Sequence, residues 1–421
     1  MPDRLPDLHP SPSPGAAAAR DRATAPDPDP HQNLRATVRA FAQAEIAPRI
    51  PDMEATGAIE DGLVSEMAKM GWIGITVPSE HGGMDAGHTA KTVLTEELSY
   101  VSAAMGAAVQ ASVLGTAMIE HFGTGEQQRE WLPAVADGSV LPTIAVTERD
   151  SGGHVLGMTS TGRRRGRHWV LNGRKVYVGN SHIGHVHGVV VRTGKGTKGL
   201  TAFLVETGRE GVHLAPHTPR IGLRGFSFGE LVLDTVRVPD THRIGEIGDG
   251  LDIAYSSSVL YGRLNLAAIA LGILAATRDH VTAHVRGRPR ISQESAVRNR
   301  VGEIDVLLRV SRLTVYHAAH RLDHGLPCDP DLMAAKYQTV RAALRATALG
   351  MKTLGAAGLL ADLPMERYLR DAQCVEPPAG TNDIQLHRLA EEALTPDKHP
   401  QWSQRFARPR SAPASAPATR T

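Results

Sequence analysis

The stretch WVLNGRKVYVGN, residues 169–180, differs in pattern from the sequence on both sides of it. Short apolar or β-branched runs, separated by Gly, Asn, Lys and Thr, are typical of strands joined by turns. Further runs of this kind lie at residues 189–191, 202–205 and 231–233. We therefore predict a compact all-β module over residues 142–245.

The sequence on both sides of this module predicts helices. Apolar residues recur at helical spacing, which gathers them on one face of a helix. The stripes are Leu94, Leu98, Val101 and Met105, with Glu96 and Ser99 outside that face; Leu260, Leu264, Leu271 and Leu274; and Ile304, Leu308 and Val315. Helices and strands that are segregated along the chain favour an α+β fold over a doubly wound parallel sheet.

The domain boundaries follow from these changes in pattern. Both ends are rich in Pro, Ala and Ser, and such segments bury too little apolar surface to offset the entropy of ordering them. We predict a disordered tail at 1–30, a helical domain at 31–141, the β-domain at 142–245, a helical bundle at 246–400 and a second disordered tail at 401–421.

Composition excludes several classes of protein. The 421 residues include 46 Lys plus Arg and 44 Asp plus Glu, a formal charge of +2, so we expect neither a nucleic-acid nor a membrane surface. The two cysteines form no CxxC motif, which argues against a structural zinc site or a disulfide framework and suits the cytoplasm. We find no signal peptide, no window that approaches a membrane span and no metal site.

Several motifs appear in a fixed order along the chain. They are MGWIGITVPSEHGG, EELSY, FGTGEQQREWLP, AVTERDSGG, WVLNGRKVYVGN, LVLDTVRVP, ERYLRDAQ and AGTNDIQ. Over roughly residues 32–397 this series resembles the acyl-CoA dehydrogenase family. The resemblance implies an N-terminal α-helical bundle, a central β-barrel and a C-terminal four-helix bundle. It also implies FAD, an acyl thioester carried by CoA or an acyl carrier protein, and a homodimer or homotetramer.

The resemblance also assigns candidate FAD contacts. An isoalloxazine ring requires donors where negative charge develops, and Val146 with Thr147 resembles the position at the flavin edge. The alternative is a threonine that satisfies its own turn. Arg288 resembles an arginine that reaches a pyrophosphate across a subunit interface, although a solvated arginine explains it equally well. The remaining candidates are Gly152, Gly153, Tyr177, Gly179, Lys352, Gly355, Ala356, Thr381 and Asp383, of which Asp383 also suits a helix N-cap.

The string EPPAGTNDIQ, residues 376–385, departs from the family pattern. The family carries its catalytic glutamate immediately before Gly-Thr, and Ala379 occupies that place here. Some members carry the glutamate instead just before an arginine on the helix after the β-domain, and that pair reads Gly262-Arg263. We expect Ala379 and Arg263 to border the substrate, although a surface position on its helix explains Arg263 equally well.

Two residues are candidates to replace the base. Glu376 lies three residues upstream of Ala379 through Pro377-Pro378, and an extended proline segment would place its backbone about 9 Å away. His182, after the Tyr177 turn, is the second candidate. Gly179 replaces a threonine that meets flavin N5 in the family, so Ala379 and Gly179 together predict an enlarged space. Phe226 and Phe228 either reshape this pocket or fill a domain junction.

Three functions remain open at this point. The favoured one is oxidation of an acyl thioester in a specialised biosynthetic pathway, with a non-standard base and a substrate that is already acidic at its reacting carbon. The second is hydroxylation with reduced flavin and dioxygen, which the enlarged space would accommodate. The third is a protein that has lost flavin redox chemistry and catalyses a cyclisation or elimination, or only binds.

Overall fold

The computed structural model describes residues 31–217, 220–395 and 402–405. The predicted tail at 1–30, and most of the predicted tail at 401–421, lie outside these residues. Within them the chain folds as helices, then strands, then helices, which confirms the predicted α+β class.

The first part of the chain is helical. The α-helices are α1 (Gln32–Phe41), α2 (Ile50–Thr56), α3 (Asp61–Lys69), α4 (Gly87–Val101), α5 (Ala103–Phe122) and α6 (Gly125–Ala136), with a π-helical turn at Ala42–Ile46. The predicted continuous stripe from Leu94 to Met105 is wrong in one respect. Ser102 is extended, with φ of −144° and ψ of 110°, so Met105 belongs to a second helix.

Glu96 and Ser99, expected outside the apolar stripe, are also buried. The Glu96 carboxylate contacts the Arg35 and Arg312 guanidinium groups and accepts a hydrogen bond from the Tyr316 hydroxyl. A buried carboxylate is tolerated when it is paired in this way. The polar side of α4 therefore joins α1 to the C-terminal helices instead of facing water.

The β-domain is one mixed eight-stranded sheet. Its strands are β1 (Pro142–Ala145), β2 (Thr161–Arg165), β3 (His168–Gly179), β4 (Val186–Arg192), β5 (Leu200–Glu206), β6 (Val212–Leu214), β7 (Phe228–Pro239) and β8 (Arg243–Ile244). Their order is β6-β7-β3-β2-β4-β5-β8, and β1 pairs in parallel with β4. All four predicted apolar runs lie inside strands. Their inward side chains, such as Trp169, Leu171 and Phe203, form a separate core within the sheet.

Helices return after the sheet. They are α7 (Gly250–Ala254), α8 (Gly262–Arg286), α9 (Pro289–Ser292), α10 (Ser295–Asp323), α11 (Asp329–Leu354), α12 (Met365–Val375), α13 (Asn382–Leu394) and α14 (Trp402–Arg405). A π-helical segment, Tyr255–Tyr261, links α7 to α8. Because π-helical turns occur frequently at functional sites, the residues that follow this segment are candidates for such a site.

Two helical stretches are long and apolar enough to cross a membrane, which corrects the expectation that no such window exists. They are Ala103–Phe122 and Gly250–Arg286. Both are almost entirely buried among other elements of the fold. Their apolar character therefore reflects their position as central helices, which must be apolar on every side.

Candidate active site

The turn that carries Val146 and Thr147 is anchored to strand β3. The Lys175 ammonium donates to the Val146 carbonyl oxygen at 3.1 Å and to the Glu148 carboxylate at 2.7 Å. The Val176 N–H donates to the Thr147 carbonyl oxygen at 2.9 Å. Val146 and Thr147 are thus held by both the main chain and a buried ion pair.

Glu148 and Lys175 are coupled electrostatically. Burial opposes ionisation of Glu148, but the Lys175 ammonium and hydrogen bonds from Thr159 and Ser160 lower the pKa of the carboxyl to about 2. Burial lowers the pKa of Lys175 to about 8, although Glu148 opposes this shift. A buried pair of this kind is costly to break, because the remaining charge has no water around it.

Gly152 and Gly153 follow this turn and border open space. No atom lies within 4 Å of the place where a Cβ atom on either residue would stand. Gly153 also lines a cavity of about 450 Å³. Backbone of this type, next to an anchored turn and an open cavity, fits close approach of a dinucleotide. These residues therefore fit FAD.

The strand end at Gly179 is more crowded than expected. A Cβ atom on Gly179 would stand 2.8 Å from the Ala111 Cβ atom and 3.0 Å from the Phe226 ring. The expected enlarged space at this residue is therefore wrong, because the phenyl ring of Phe226 occupies it. Nearby, Tyr177 has a φ of 59°, and the residue is 64% exposed while its ring stacks on Phe228.

Phe226 is itself held in place. The Arg220 guanidinium lies over both the Phe226 and Phe228 rings and donates to the Leu223 and Phe226 carbonyl oxygens. Burial lowers the pKa of Arg220 below its ordinary value. Cation–π contacts with two rings favour a fixed orientation for Phe226. Phe226 and Phe228 were expected either to reshape the pocket or to fill a domain junction. The close approach of Phe226 to Gly179 favours a reshaped pocket.

Ala379 lies opposite Gly262 in the fold. A Cβ atom on Gly262 would come within 3.2 Å of the Ala379 Cβ atom. The two alternative positions for the family's glutamate are therefore neighbours in space, although 117 residues separate them. Neither residue supplies a titratable group.

A buried lysine supports the loop that carries Ala379. Lys336, on α11, is fully buried and donates to the carbonyl oxygens of Glu376, at 2.9 Å, and Gly380. Burial lowers its pKa to about 7. The Gln385 side-chain amide also donates to the Ala379 and Gly380 carbonyl oxygens, at 3.0 and 2.9 Å. This loop is therefore held by polar contacts at its main chain.

Both candidates for a replacement base take part in hydrogen bonds with other groups of the protein. The Glu376 carboxylate accepts the Asn382 N–H at 2.8 Å, at the start of α13. His182 is engaged through Nε2, 2.8 Å from the Ala215 carbonyl oxygen, and through Nδ1, 3.1 Å from the Ser181 hydroxyl. Their role as a base stays a prediction.

Other candidates occupy the surface of the C-terminal helices. Arg288 is exposed and donates to the His284 carbonyl oxygen at 3.1 Å, while Lys352, Gly355, Ala356 and Asp383 are also exposed. Among the described residues, no hydrogen bond or ion pair links them to the Val146 turn. The Thr381 hydroxyl, and not Asp383, caps α13 by accepting the Ile384 N–H. Their assignment to FAD stays a prediction, which for Arg288 involves a second subunit.

Arg263 is the charged residue closest in sequence to the Gly262–Ala379 contact, and it lines the cavity of about 450 Å³. It is 7% exposed, and burial lowers its pKa to about 10 while Asp329 opposes this shift. Within the described part of the chain, its Nε–H has no hydrogen-bond partner. A buried guanidinium with an unused donor is suited to binding a polar ligand.

Sequence reasoning missed Lys175, Glu148, Lys336 and the aromatic contacts at Gly179. Lys336 has the clearest signal, because it shares a helical stripe with Val340, Ala343 and Thr347 that is otherwise uncharged and is buried. Two histidines at the start of strand β4, spaced as metal ligands can be, contact protein groups instead. The rings of His185 and His187 contact the Leu141 N–H and the Thr143 hydroxyl respectively.

Comparisons with known proteins agree with this architecture. The chain matches the family models of the acyl-CoA dehydrogenase N-terminal domain at residues 28–139, the middle domain at 143–236 and the C-terminal domain at 248–394. An acyl-CoA dehydrogenase of Bacillus subtilis is 33% identical over 361 residues, which cover 84% of this chain and 94% of that protein.

A second relative, 3-(aryl)acrylate reductase of Clostridium sporogenes, is 29% identical over 372 residues, covering 86% of this chain and 98% of its own length. The solved structure of butyryl-CoA dehydrogenase from Megasphaera elsdenii superposes with a TM-score of 0.85 at 25% identity, over 87% of this chain and 98% of that one. The chain therefore belongs to the acyl-CoA dehydrogenase family and is an FAD-dependent oxidoreductase of that type.

Proposed function

We propose that this protein oxidises an acyl thioester, carried by CoA or by an acyl carrier protein, in a specialised biosynthetic pathway and without a carboxylate at either family position for the base. The contact between Gly262 and Ala379 carries the proposal, since both positions lack a carboxylate. The buried Arg263 beside them retains a donor for a polar ligand.

The remaining residues support binding and orientation. The Val146–Thr147 turn, fixed by Lys175, would hold the flavin edge, and the open backbone at Gly152 and Gly153 would admit the pyrophosphate. When bound, FAD would supply the acceptor for a hydride that leaves Cβ of the thioester. Cα loses a proton in the same overall oxidation, and the two carbons become a double bond.

The lack of a carboxylate at these positions restricts the substrate. A positioned base typically contributes about 10²- to 10⁴-fold to such a proton transfer. Without it, an ordinary aliphatic thioester would react slowly, whereas a thioester with an electron-withdrawing group at Cα loses its proton to a weak base or to water. We therefore propose a substrate of the second kind.

An anaerobic titration tests the proposal. FAD-loaded protein is mixed with butyryl-CoA or with 2-phenylpropanoyl-CoA, in which an aryl group acidifies Cα. We expect the aryl thioester to bleach the oxidised flavin at least about 100-fold faster than butyryl-CoA. Equal rates would reject the restriction on the substrate, and no bleaching by either thioester would reject their oxidation.

The same protein preparation tests the alternatives. Hydroxylation predicts an oxygenated product only when a flavin reductase and dioxygen are supplied, and its structural support is weaker because Phe226 fills the space at Gly179. Loss of redox function predicts a protein that cannot be reconstituted with FAD.

The proposal also includes a cytoplasmic location and assembly as a homodimer or homotetramer. The two free cysteines support the cytoplasmic location.

A further inference from the structure

Trp402 is a candidate contact for the thioester, on the proposed function given above. It comes from α14, beyond residue 394, where the match to the family's C-terminal domain ends. It lines the cavity of about 450 Å³ together with Gly153 and Arg263. The cavity is therefore lined by a glycine that follows the proposed flavin turn, by the residue next to Gly262 and by an indole from the C-terminal segment.

Trp402 is held in this wall by specific contacts. The Asp329 carboxylate accepts the N–H groups of Trp402 and Ser403, both at 2.8 Å. The Ser403 hydroxyl accepts the Cys328 N–H at 3.0 Å, and Ser403 is buried. A carboxylate that accepts two N–H groups at a helix start is a favourable cap. The attachment of α14 to the start of α11 thus consists of hydrogen bonds from main-chain N–H groups to side-chain oxygens.

The indole is also oriented by an aromatic partner. Its ring stacks on Tyr255, with ring centroids 5.7 Å apart and an interplanar angle of 21°. Tyr255 begins the π-helical segment that leads to Gly262 and Arg263, and it lines the same cavity. Two stacked rings present a flat apolar surface, while Arg263 offers a polar donor nearby. This combination suits a ligand that alternates methylene and amide groups.

We infer that Trp402 contacts the pantetheine arm of the thioester and helps to determine its affinity. The arm is common to CoA and to carrier proteins, so the inference covers both sources. It assigns a role in binding to Trp402 and none in proton or hydride transfer. Substitution should therefore change the dissociation constant of the thioester while leaving FAD content and the flavin spectrum of the free protein unchanged.

Calorimetry on the full-length, FAD-loaded protein tests this inference under anaerobic conditions. The probes are butyryl-CoA and S-butyryl-pantetheine. We expect W402A to weaken binding of both probes by about tenfold, as loss of a stacked aromatic contact suggests. The matched control is W131A, because Trp131 packs against His242 away from the cavity. Similar affinities of the wild type for the two probes indicate recognition of the arm alone, whereas tighter binding of butyryl-CoA indicates that the nucleotide contributes.

Tryptophan fluorescence provides a second readout that does not depend on the alanine variant folding. Both probes should change the emission of the wild-type protein and of W131F, and W402F should lose most of that change. Unaltered affinity in W402A, or an unaltered fluorescence response in W402F, overturns the inference while leaving the proposed function intact. If the wild type binds neither probe, the proposed substrate class fails, and the inference fails with it.

Discussion

The main chain of Gly262 faces the side chain of Ala379 so closely that a Cβ atom on residue 262 would stand 3.2 Å from the Ala379 Cβ atom. One small volume is therefore accessible from two elements, the start of α8 and the loop before α13. A carboxylate from either element would enter the same volume. This geometry explains how one chemical role can be placed at two distant positions in a sequence.

The first prediction is that A379E and G262E each restore a base. Either variant should accelerate bleaching of the flavin by butyryl-CoA by about 10²-fold or more, measured anaerobically by stopped flow. A379Q and G262Q are the matched controls, since they add similar volume without a carboxylate. Ala379 already has a φ of 54°, so glutamate there adds little further backbone strain.

The double variant G262E/A379E provides an internal check on this geometry. Two carboxylates in one small volume repel each other, which raises the pKa of one of them. We expect the double variant to be slower than the better single variant near neutral pH. Additive gains in rate would show that the two positions do not share a volume.

The second prediction concerns the crowding at Gly179. G179T should destabilise the protein by about 1–3 kcal/mol, because its Cβ atom would meet Ala111 and Phe226 at 2.8 and 3.0 Å. Thermal unfolding with FAD bound measures the effect. The double variant G179T/F226A should recover part of the loss, since removing the phenyl ring opens the space. No recovery would show that Phe226 is not the residue that excludes a side chain here.

The third prediction concerns the ion pair under the Val146–Thr147 turn. K175M should cost about 3–5 kcal/mol of stability, because it leaves the Glu148 carboxylate buried and unpaired. It should also weaken FAD binding, since Lys175 no longer holds the Val146 carbonyl oxygen. Relative to K175M, the double variant E148Q/K175M should regain much of the lost stability, because it has no buried unpaired charge. It should regain less of the FAD affinity, because the contact from Lys175 to the Val146 carbonyl oxygen is still absent. Fluorescence titration with FAD and chemical denaturation separate the two effects, and an unchanged FAD affinity in K175M would contradict the assigned role of the turn.

Much of the fold could be predicted from sequence, because period and composition act locally. The strand-like runs around Trp169 and Leu231 lie in strands β3 and β7. The break at Ser102 could not be predicted in this way, since Leu98, Val101 and Met105 keep helical spacing across it and all three are buried. The helical spacing of apolar residues predicts which residues are buried. It does not show that these residues belong to one continuous helix.

The site was less predictable, because its main features join residues that are distant in sequence. Glu148 and Lys175 are 27 residues apart, and Asp329 and Trp402 are 73 apart. Glu376 is three residues from Ala379, yet its carboxylate is committed to the Asn382 N–H. Sequence proximity made Glu376 a candidate for the base, but sequence alone does not show the hydrogen bond that its carboxylate accepts from the Asn382 N–H.

The last prediction is a pH dependence of stability that arises from Lys336. Burial lowers its pKa to about 7 in the folded protein, against an ordinary value of 10.5. Between these values the unfolded chain binds more protons than the folded one, so the free energy of unfolding rises with pH. Below about pH 7 both states are protonated, and this contribution no longer changes. Lys91 and Lys175, whose pKa values burial also lowers, act in the same direction.

K336M isolates the contribution of this residue. The variant loses the hydrogen bonds to the Glu376 and Gly380 carbonyl oxygens, so it should be less stable than the wild type throughout. The variant also lacks the titrating group. The difference in the free energy of unfolding between wild type and variant should therefore widen as the pH rises from about 7 to about 10. Urea denaturation at several pH values measures this gap. K352M, which removes an exposed lysine from the same helix, is the control. A gap that stays constant with pH would show that Lys336 does not titrate in this range, and its support of the Ala379 loop would then rest on its hydrogen bonds alone.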